Sequence, residues 1–445
     1  MTNNNNKSQA VHRRRESVHG NGITMRLPLL AAWVLALAGC GVPEAPLMVT
    51  PVIYRSGGLD PLAHVDPSHR TTAQRVFYAT SRSRAAERFD EPMAYGNTPT
   101  TTLQVGMARV RFGDDTSWQK LHEASKSDER REEILLSLTD VWEHGSIRFE
   151  GIEHQPAATD GSDRFLAEIN AQLAVAKDPE LIIYVHGAKV NFYDACVYAA
   201  ELNHFAGRDM VPLAFAWPTH QDIFRYLSGE DVERAGTSAQ LFESLLHLLA
   251  TRTTARRINV VCWSAGGRVV SRALEDLSRW EDRQREDPSA SRLGVVLFAA
   301  PDVPVHDFLE RLPEIERVAE RVIITASDDD AALEKASQLM GGGRRVGSVG
   351  VRLPDDERAA LAQTSRIELV DVSHGQGERG FDIRGHRYWF SHGWVASDVV
   401  LAIRTRLPAD RRGLEPTPIT NVWFFPPDYP DRVRDAAVGA LGAGW

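Results

Sequence analysis

One run constrains this chain more than any other: Arg257-Ile258-Asn259-Val260-Val261-Cys262-Trp263-Ser264-Ala265-Gly266-Gly267-Arg268-Val269-Val270. A short apolar segment ends in a small-x-Ser-x-Gly-Gly step. An amphipathic helical pattern through Val269, Val270, Ala273, Leu274 and Leu277 follows at once, so the order reads strand, sharp turn, helix. A turn of this kind forces the central serine into a strained backbone conformation, with its hydroxyl standing clear of the sheet and only small residues tolerated beside it. Cys262 and Gly266 meet that demand. The start of the helix offers the N–H of Ala265 and a positive dipole end, both suited to a developing oxyanion. The pentapeptide alone also fits an ordinary strand-to-helix connection with a capping serine, so the surrounding chain has to decide.

From Leu181 onward the pattern is regular. Residues 181–185 are wholly apolar, as expected of a strand buried on both faces of a parallel sheet, and His186-Gly187-Ala188 and a helical pattern follow. Further apolar runs fall at 211–217, 258–262, 293–300, 321–326 and 367–372, with helical segments between most of them, including one at 395–406. The alternation predicts a doubly wound, mostly parallel sheet flanked by helices, an α/β fold. Ligands on such sheets bind beyond the carboxyl ends of the strands. Those ends carry His186-Gly187-Ala188, Ser264, Pro301-Asp302, Asp328-Asp329-Asp330 and the loop holding His386. Serine, acid, histidine, each in a loop after a later strand, is the chain order of α/β hydrolases.

Seven short motifs then occur in sequence: Val76-Phe77-Tyr78-Ala79-Thr80-Ser81-Arg82, Tyr184-Val185-His186-Gly187, Phe215-Ala216-Trp217-Pro218, Trp263-Ser264-Ala265-Gly266, Ala299-Ala300-Pro301-Asp302-Val303, Ser327-Asp328-Asp329-Asp330-Ala331-Ala332-Leu333 and Gly385-His386-Arg387-Tyr388-Trp389-Phe390. Together they resemble a bacterial family of α/β hydrolases of uncharacterised function within the esterase/lipase superfamily. The resemblance implies Ser264 as nucleophile, Asp330 as the acid and His386 as the base. It breaks at Ala188-Lys189, where an aromatic-Asn pair is usual, and this bears on the shape of the oxyanion loop. His392 is the competing base, and Asp302, Asp329 and Asp371 are competing acids. Ala265 and Ala188 are the candidate oxyanion donors, and His186 is expected to hold its loop rather than transfer protons. The expected chemistry is cleavage of an ester or thioester in a small-molecule or lipid acyl substrate, with no metal and no organic cofactor implied. The rival expectation is a hydrolase fold kept as a silent binding or scaffold protein.

The remaining segments bear on location and partners. Met25-Arg26-Leu27-Pro28-Leu29-Leu30-Ala31-Ala32-Trp33-Val34-Leu35-Ala36-Leu37-Ala38-Gly39-Cys40 has a basic start, a short apolar core and a small-residue end, so residues 1–39 read as a signal peptide with an extended start. Leu37-Ala38-Gly39-Cys40 resembles a lipobox, with Cys40 the lipidated residue and a bacterial envelope location implied. Gly41 after it favours the outer membrane, facing the periplasm. Residues 40–75, rich in proline, glycine and small polar residues, read as a tether, 76–406 as the hydrolase domain, and 407–445 as a proline- and aromatic-rich tail that packs back on it. The net charge of -9 and the lack of a basic stripe exclude a nucleic-acid partner. Three cysteines are too few for a disulfide scaffold, and Cys196 and Cys262 are not expected to pair. The run Gly341-Gly342-Gly343-Arg344-Arg345 reads as a mobile loop near the site.

Overall fold

The computed structural model describes residues 44–55, 58–85, 95–127, 129–150, 155–156, 160–284, 292–349, 353–373 and 391–442. The signal segment, Cys40 and His386 lie outside them.

In chain order the strands are β1 (Glu44–Pro46), β2 (Ala73–Arg84), β3 (Tyr95–Phe112), β4 (Leu135–Ile147), the small pair β5 (Phe149–Glu150) and β6 (Gln155–Pro156), β7 (Leu181–Val185), β8 (Val211–Ala216), β9 (Ile258–Trp263), β10 (Leu293–Ala299), β11 (Ala319–Ala326), β12 (Ile367–Asp371), β13 (Glu415–Pro416) and β14 (Val422–Phe424). The helices are α1 (Trp118–Ala124), α2 (Asp160–Leu173), α3 (Phe192–Phe205), α4 (Ile223–Leu227), α5 (Glu230–Arg252), α6 (Gly266–Gln284), α7 (Val305–Val318), α8 (Ala331–Met340), α9 (Asp355–Ala362), α10 (Gly393–Thr405) and α11 (Tyr429–Leu441).

All strands but β5 and β6 join one twelve-stranded sheet, in the order β1-β4-β3-β2-β8-β7-β9-β10-β11-β12-β14-β13. Neighbours from β2 to β14 run parallel, and the antiparallel pairs sit at the two edges. The parallel strands are apolar along their whole length because both faces are covered. Successive side chains alternate across the sheet: Ile182, Tyr184, Val261 and Trp263 face one core with α3, α10 and α11, while Leu181, Ile183, Val185, Val260 and Cys262 face the other with α2, α5, α6 and α7. Each fully buried large apolar side chain contributes about 1.5–3 kcal/mol of transfer free energy, so the double-sided sheet is the source of most of the stability.

Two boundaries differ from the sequence reading. Most of the segment 40–75 read as a tether lies in the described residues and is packed: β1 pairs with β4, Leu47, Met48, Ile53 and Tyr54 are buried, and the Tyr54 hydroxyl donates to the Phe205 carbonyl at 2.6 Å. Its composition resembles a linker, but its apolar residues are inserted without periodicity beside α3 and α10. The tail, likewise, is part of the domain. β14 adds to β12 in parallel. Phe425 and Tyr429 pack edge to face at 4.6 Å. Arg412, fully buried, donates to Asp398 at 2.7 Å and to Glu368 at 2.8 Å. Removing one partner of such a buried cluster leaves uncompensated charge, which explains why this end is fixed rather than loose. β4 is a long antiparallel strand that ends at Ile147, just before the short β5, and the two-turn helix α1 lies in the connection between β3 and β4.

Both cysteines in the described residues, Cys196 and Cys262, are free and buried.

Candidate active site

Ser264 follows β9 with φ of 52°, in the left-handed region that costs a non-glycine residue about 1–3 kcal/mol. The surroundings hold it there. Its N–H donates to the Ala299 carbonyl at 2.9 Å, and its own carbonyl accepts from the N–H groups of Gly267 at 2.9 Å and Asp302 at 3.0 Å. Glycine is required on both sides by contact. A Cβ on Gly266 would stand 2.6 Å from the Val185 carbonyl oxygen, and one on Gly187 would stand 3.0 Å from the Ser264 Cβ. The loop after β7 and the turn after β9 therefore touch. Ala188, half-buried, lies in that loop between Gly187 and Lys189, whose φ is 58°. Ala265 is buried at the first turn of α6, where backbone N–H groups have no intrahelical acceptor.

The structure gives the four candidate acids different surroundings. Asp302 is consumed by a buried cluster: Arg345 pairs with it at 2.7 Å, Arg268 donates at 3.4 Å, and the Tyr226 hydroxyl donates to its other oxygen. Asp371 accepts from the Ser373 N–H at 2.9 Å and closes the turn after β12. Asp328 and Asp329 are exposed, whereas Asp330 is buried. Asp330 caps α8, its Oδ1 accepting from the N–H groups of Ala332 at 3.1 Å and Leu333 at 3.0 Å, so the carboxylate has a fixed orientation. It follows β11, one strand beyond the neighbour of β9. Strand spacing puts about 10 Å between those two strands, so the Ser264 and Asp330 side chains have to lean toward each other for one imidazole to bridge them.

His392 is buried at the start of α10 with its ring against Trp394, centroids 5.8 Å apart. His186 is fully buried and stacks on Trp217 at 5.5 Å with planes 7° apart. Its Nδ1–H donates to the Gly187 carbonyl at 2.7 Å and its Nε2 accepts from Arg82 at 3.3 Å. A carbonyl can only accept and a guanidinium only donate, so the tautomer is fixed. Burial, and secondarily the positive charge of Arg82, pushes the His186 ring down to about 3.

His204, beneath α1, is also held well below its usual range by burial. A base whose folded pKa is depressed binds its proton preferentially in the unfolded chain, so stability falls as pH drops through the ordinary value of 6.5 and continues to fall to about 3. Urea midpoints are expected to decline already between pH 6.5 and 5, above the carboxylate range, and the decline is expected to be shallower in His186→Asn. A midpoint flat down to pH 5 would contradict this.

Several residues had no signal of their own in the sequence. Arg82, Tyr226, Arg268 and Arg345 are polar side chains whose burial depends on partners far along the chain. Arg345 also overturns the mobile-loop reading of 341–345: three successive left-handed glycines turn their segment around its buried guanidinium, which donates to the carbonyls of Gly341 at 2.8 Å and Gly343 at 3.0 Å. Among the described residues there is no cluster suited to a metal ion, and no helix is long and apolar enough to cross a membrane.

A mostly parallel, two-sided sheet with a strained serine between strand and helix at its carboxyl edge defines an α/β hydrolase. The model of the family described as alpha/beta hydrolase of unknown function (DUF900) matches residues 162–404, more than half the chain, and the protein belongs to that family. No curated protein matches it.

Proposed function

We propose that this hydrolase cleaves an ester or thioester through an acyl-enzyme. The observation that carries the reading is Ser264, held at φ of 52° on the carboxyl edge of the sheet, where the loop bearing Ala188 approaches to contact. Ser264 Oγ attacks the acyl carbonyl, His386 takes the proton and returns it to the leaving group, and Asp330 orients the imidazole. The N–H groups of Ala265 and Ala188 receive the oxyanion. Water then repeats the sequence on the acyl-enzyme, with His386 as base. Burial supports Asp330 over the exposed Asp329, the engagement of Asp302 with Arg345, Arg268 and Tyr226 supports it over Asp302, and the helix cap fixes the orientation of its carboxylate. With Cys40 lipidated, the enzyme sits in the bacterial cell envelope, on the outer membrane facing the periplasm, and acts on small-molecule or lipid acyl esters.

The test is release of p-nitrophenol from acetate, butyrate and decanoate esters. Wild type is expected to turn over at least one of them, with kcat lowered roughly 10³- to 10⁴-fold in Asp330→Asn, because the imidazole loses its orienting partner. No release above the Ser264→Ala background would overturn the reading and favour a silent scaffold.

A further inference from the structure

Arg82 lies near the carboxyl end of β2, at the same edge of the sheet as Ser264, since β2 runs parallel to β8 with Thr80 opposite Ala216. It is 1% exposed and makes no ion pair among the described residues. Burial draws its guanidinium down to about 9, so it is still charged at neutral pH. A buried lone cation is costly, and where a carbonyl needs only a donor a neutral side chain would serve. Arg82 Nη2 donates to the Val190 carbonyl at 2.6 Å and to His186 Nε2 at 3.3 Å, and Nη1 donates to the Gly96 carbonyl at 3.2 Å. The Thr219 hydroxyl donates to the same Val190 carbonyl at 2.9 Å. Arg82 thus grips both ends of the segment from His186 to Val190. Between those ends lie Ala188 and the strained Lys189.

We propose that Arg82 is a positioning residue for the oxyanion loop. It holds the backbone of 187–189 against Ser264 by pinning the Val190 carbonyl and keeping His186 in the neutral, Nδ1-protonated form that binds the Gly187 carbonyl. It touches no reacting atom. The inference rests on the serine-hydrolase reading.

The experiment compares wild type, Arg82→Lys and Arg82→Met for kcat and KM on p-nitrophenyl butyrate from pH 5 to 9, for the rate of labelling by a fluorophosphonate, and for thermal melting. In folded Arg82→Met, kcat and the labelling rate are expected to fall about 30- to 300-fold with KM within about threefold, the scale of losing an oxyanion donor. Arg82→Lys, which keeps the charge but not the fork, is expected to lie between. If Arg82→Met does not fold, Thr219→Val carries the test: it removes one donor to the Val190 carbonyl, and kcat is expected to fall about three- to tenfold at unchanged KM. Wild-type kcat in a folded Arg82→Met, or in Thr219→Val where Arg82→Met does not fold, overturns the inference while leaving the serine reading intact. A wild type that neither labels nor turns over overturns both.

Discussion

Ser264→Ala is expected to lower kcat/KM on any ester the enzyme accepts by roughly 10⁴-fold or more, because the nucleophile of a covalent mechanism has no substitute and what remains is binding and oxyanion stabilisation. The fold is expected to survive unchanged. Alanine at φ of 52° carries the same strain as serine, and the turn is held by backbone hydrogen bonds to the Ala299 carbonyl and from Gly267 and Asp302 that the substitution leaves in place. Ser264→Gly separates the two effects. It is equally inactive, but glycine adopts the left-handed conformation without penalty, so its urea midpoint is expected to correspond to about 1 kcal/mol of added stability over Ser264→Ala. A midpoint unchanged or lower in the glycine variant would mean that the elbow is not strained.

Gly266→Ala is expected to do the reverse, damaging the fold as well as the site. The added Cβ would meet the Val185 carbonyl oxygen at 2.6 Å and the His186 carbonyl oxygen at 2.7 Å, backbone atoms at and just beyond the end of a strand clamped between two neighbours. No side chain is there to rotate away. Relief requires α6 or the end of β7 to shift, at a cost of about 2–4 kcal/mol, the upper range for overpacking a rigid contact. Since the end of β7 leads directly into the segment carrying Ala188, the surviving folded fraction is expected to be slowed as well. Denaturation by urea and kcat per folded molecule measure the two parts separately. Wild-type stability in this variant would contradict the close approach of strand and helix.

The sequence made the central sheet legible because burial on both faces writes itself as uninterrupted apolar runs; β7 and β12 lie where Leu181–Val185 and the run at 367–372 placed them. The turn at Ser264 was legible for a different reason, the clustering of small residues that a contact between backbones demands. The edges were not. β3 and β4 are half-covered antiparallel strands, and their pairing shifts register between Val105 and Gly106 and between Arg109 and Val110, which breaks the alternation that identifies such strands. Residues 44–72 and the tail were concealed by proline and glycine content, although Ile53 and Tyr429 are wholly buried. Within the site, the sequence offered Asp302, Asp329, Asp330 and Asp371 on equal chemical terms. What separates them is which carboxylate meets Arg345, which meets solvent and which caps a helix, and these are facts of tertiary packing. Arg82 shows the same limit, for its role lies in a carbonyl 108 positions away.

Ser264 is expected to behave as an activated nucleophile. The most direct measurement is reaction of the folded protein with a fluorophosphonate followed by mass analysis of its peptides. A single stoichiometric adduct is expected on the peptide containing Ser264, absent from Ser264→Ala and slowed in Asp330→Asn. A folded wild type that forms no adduct, or forms one at another residue, would contradict it.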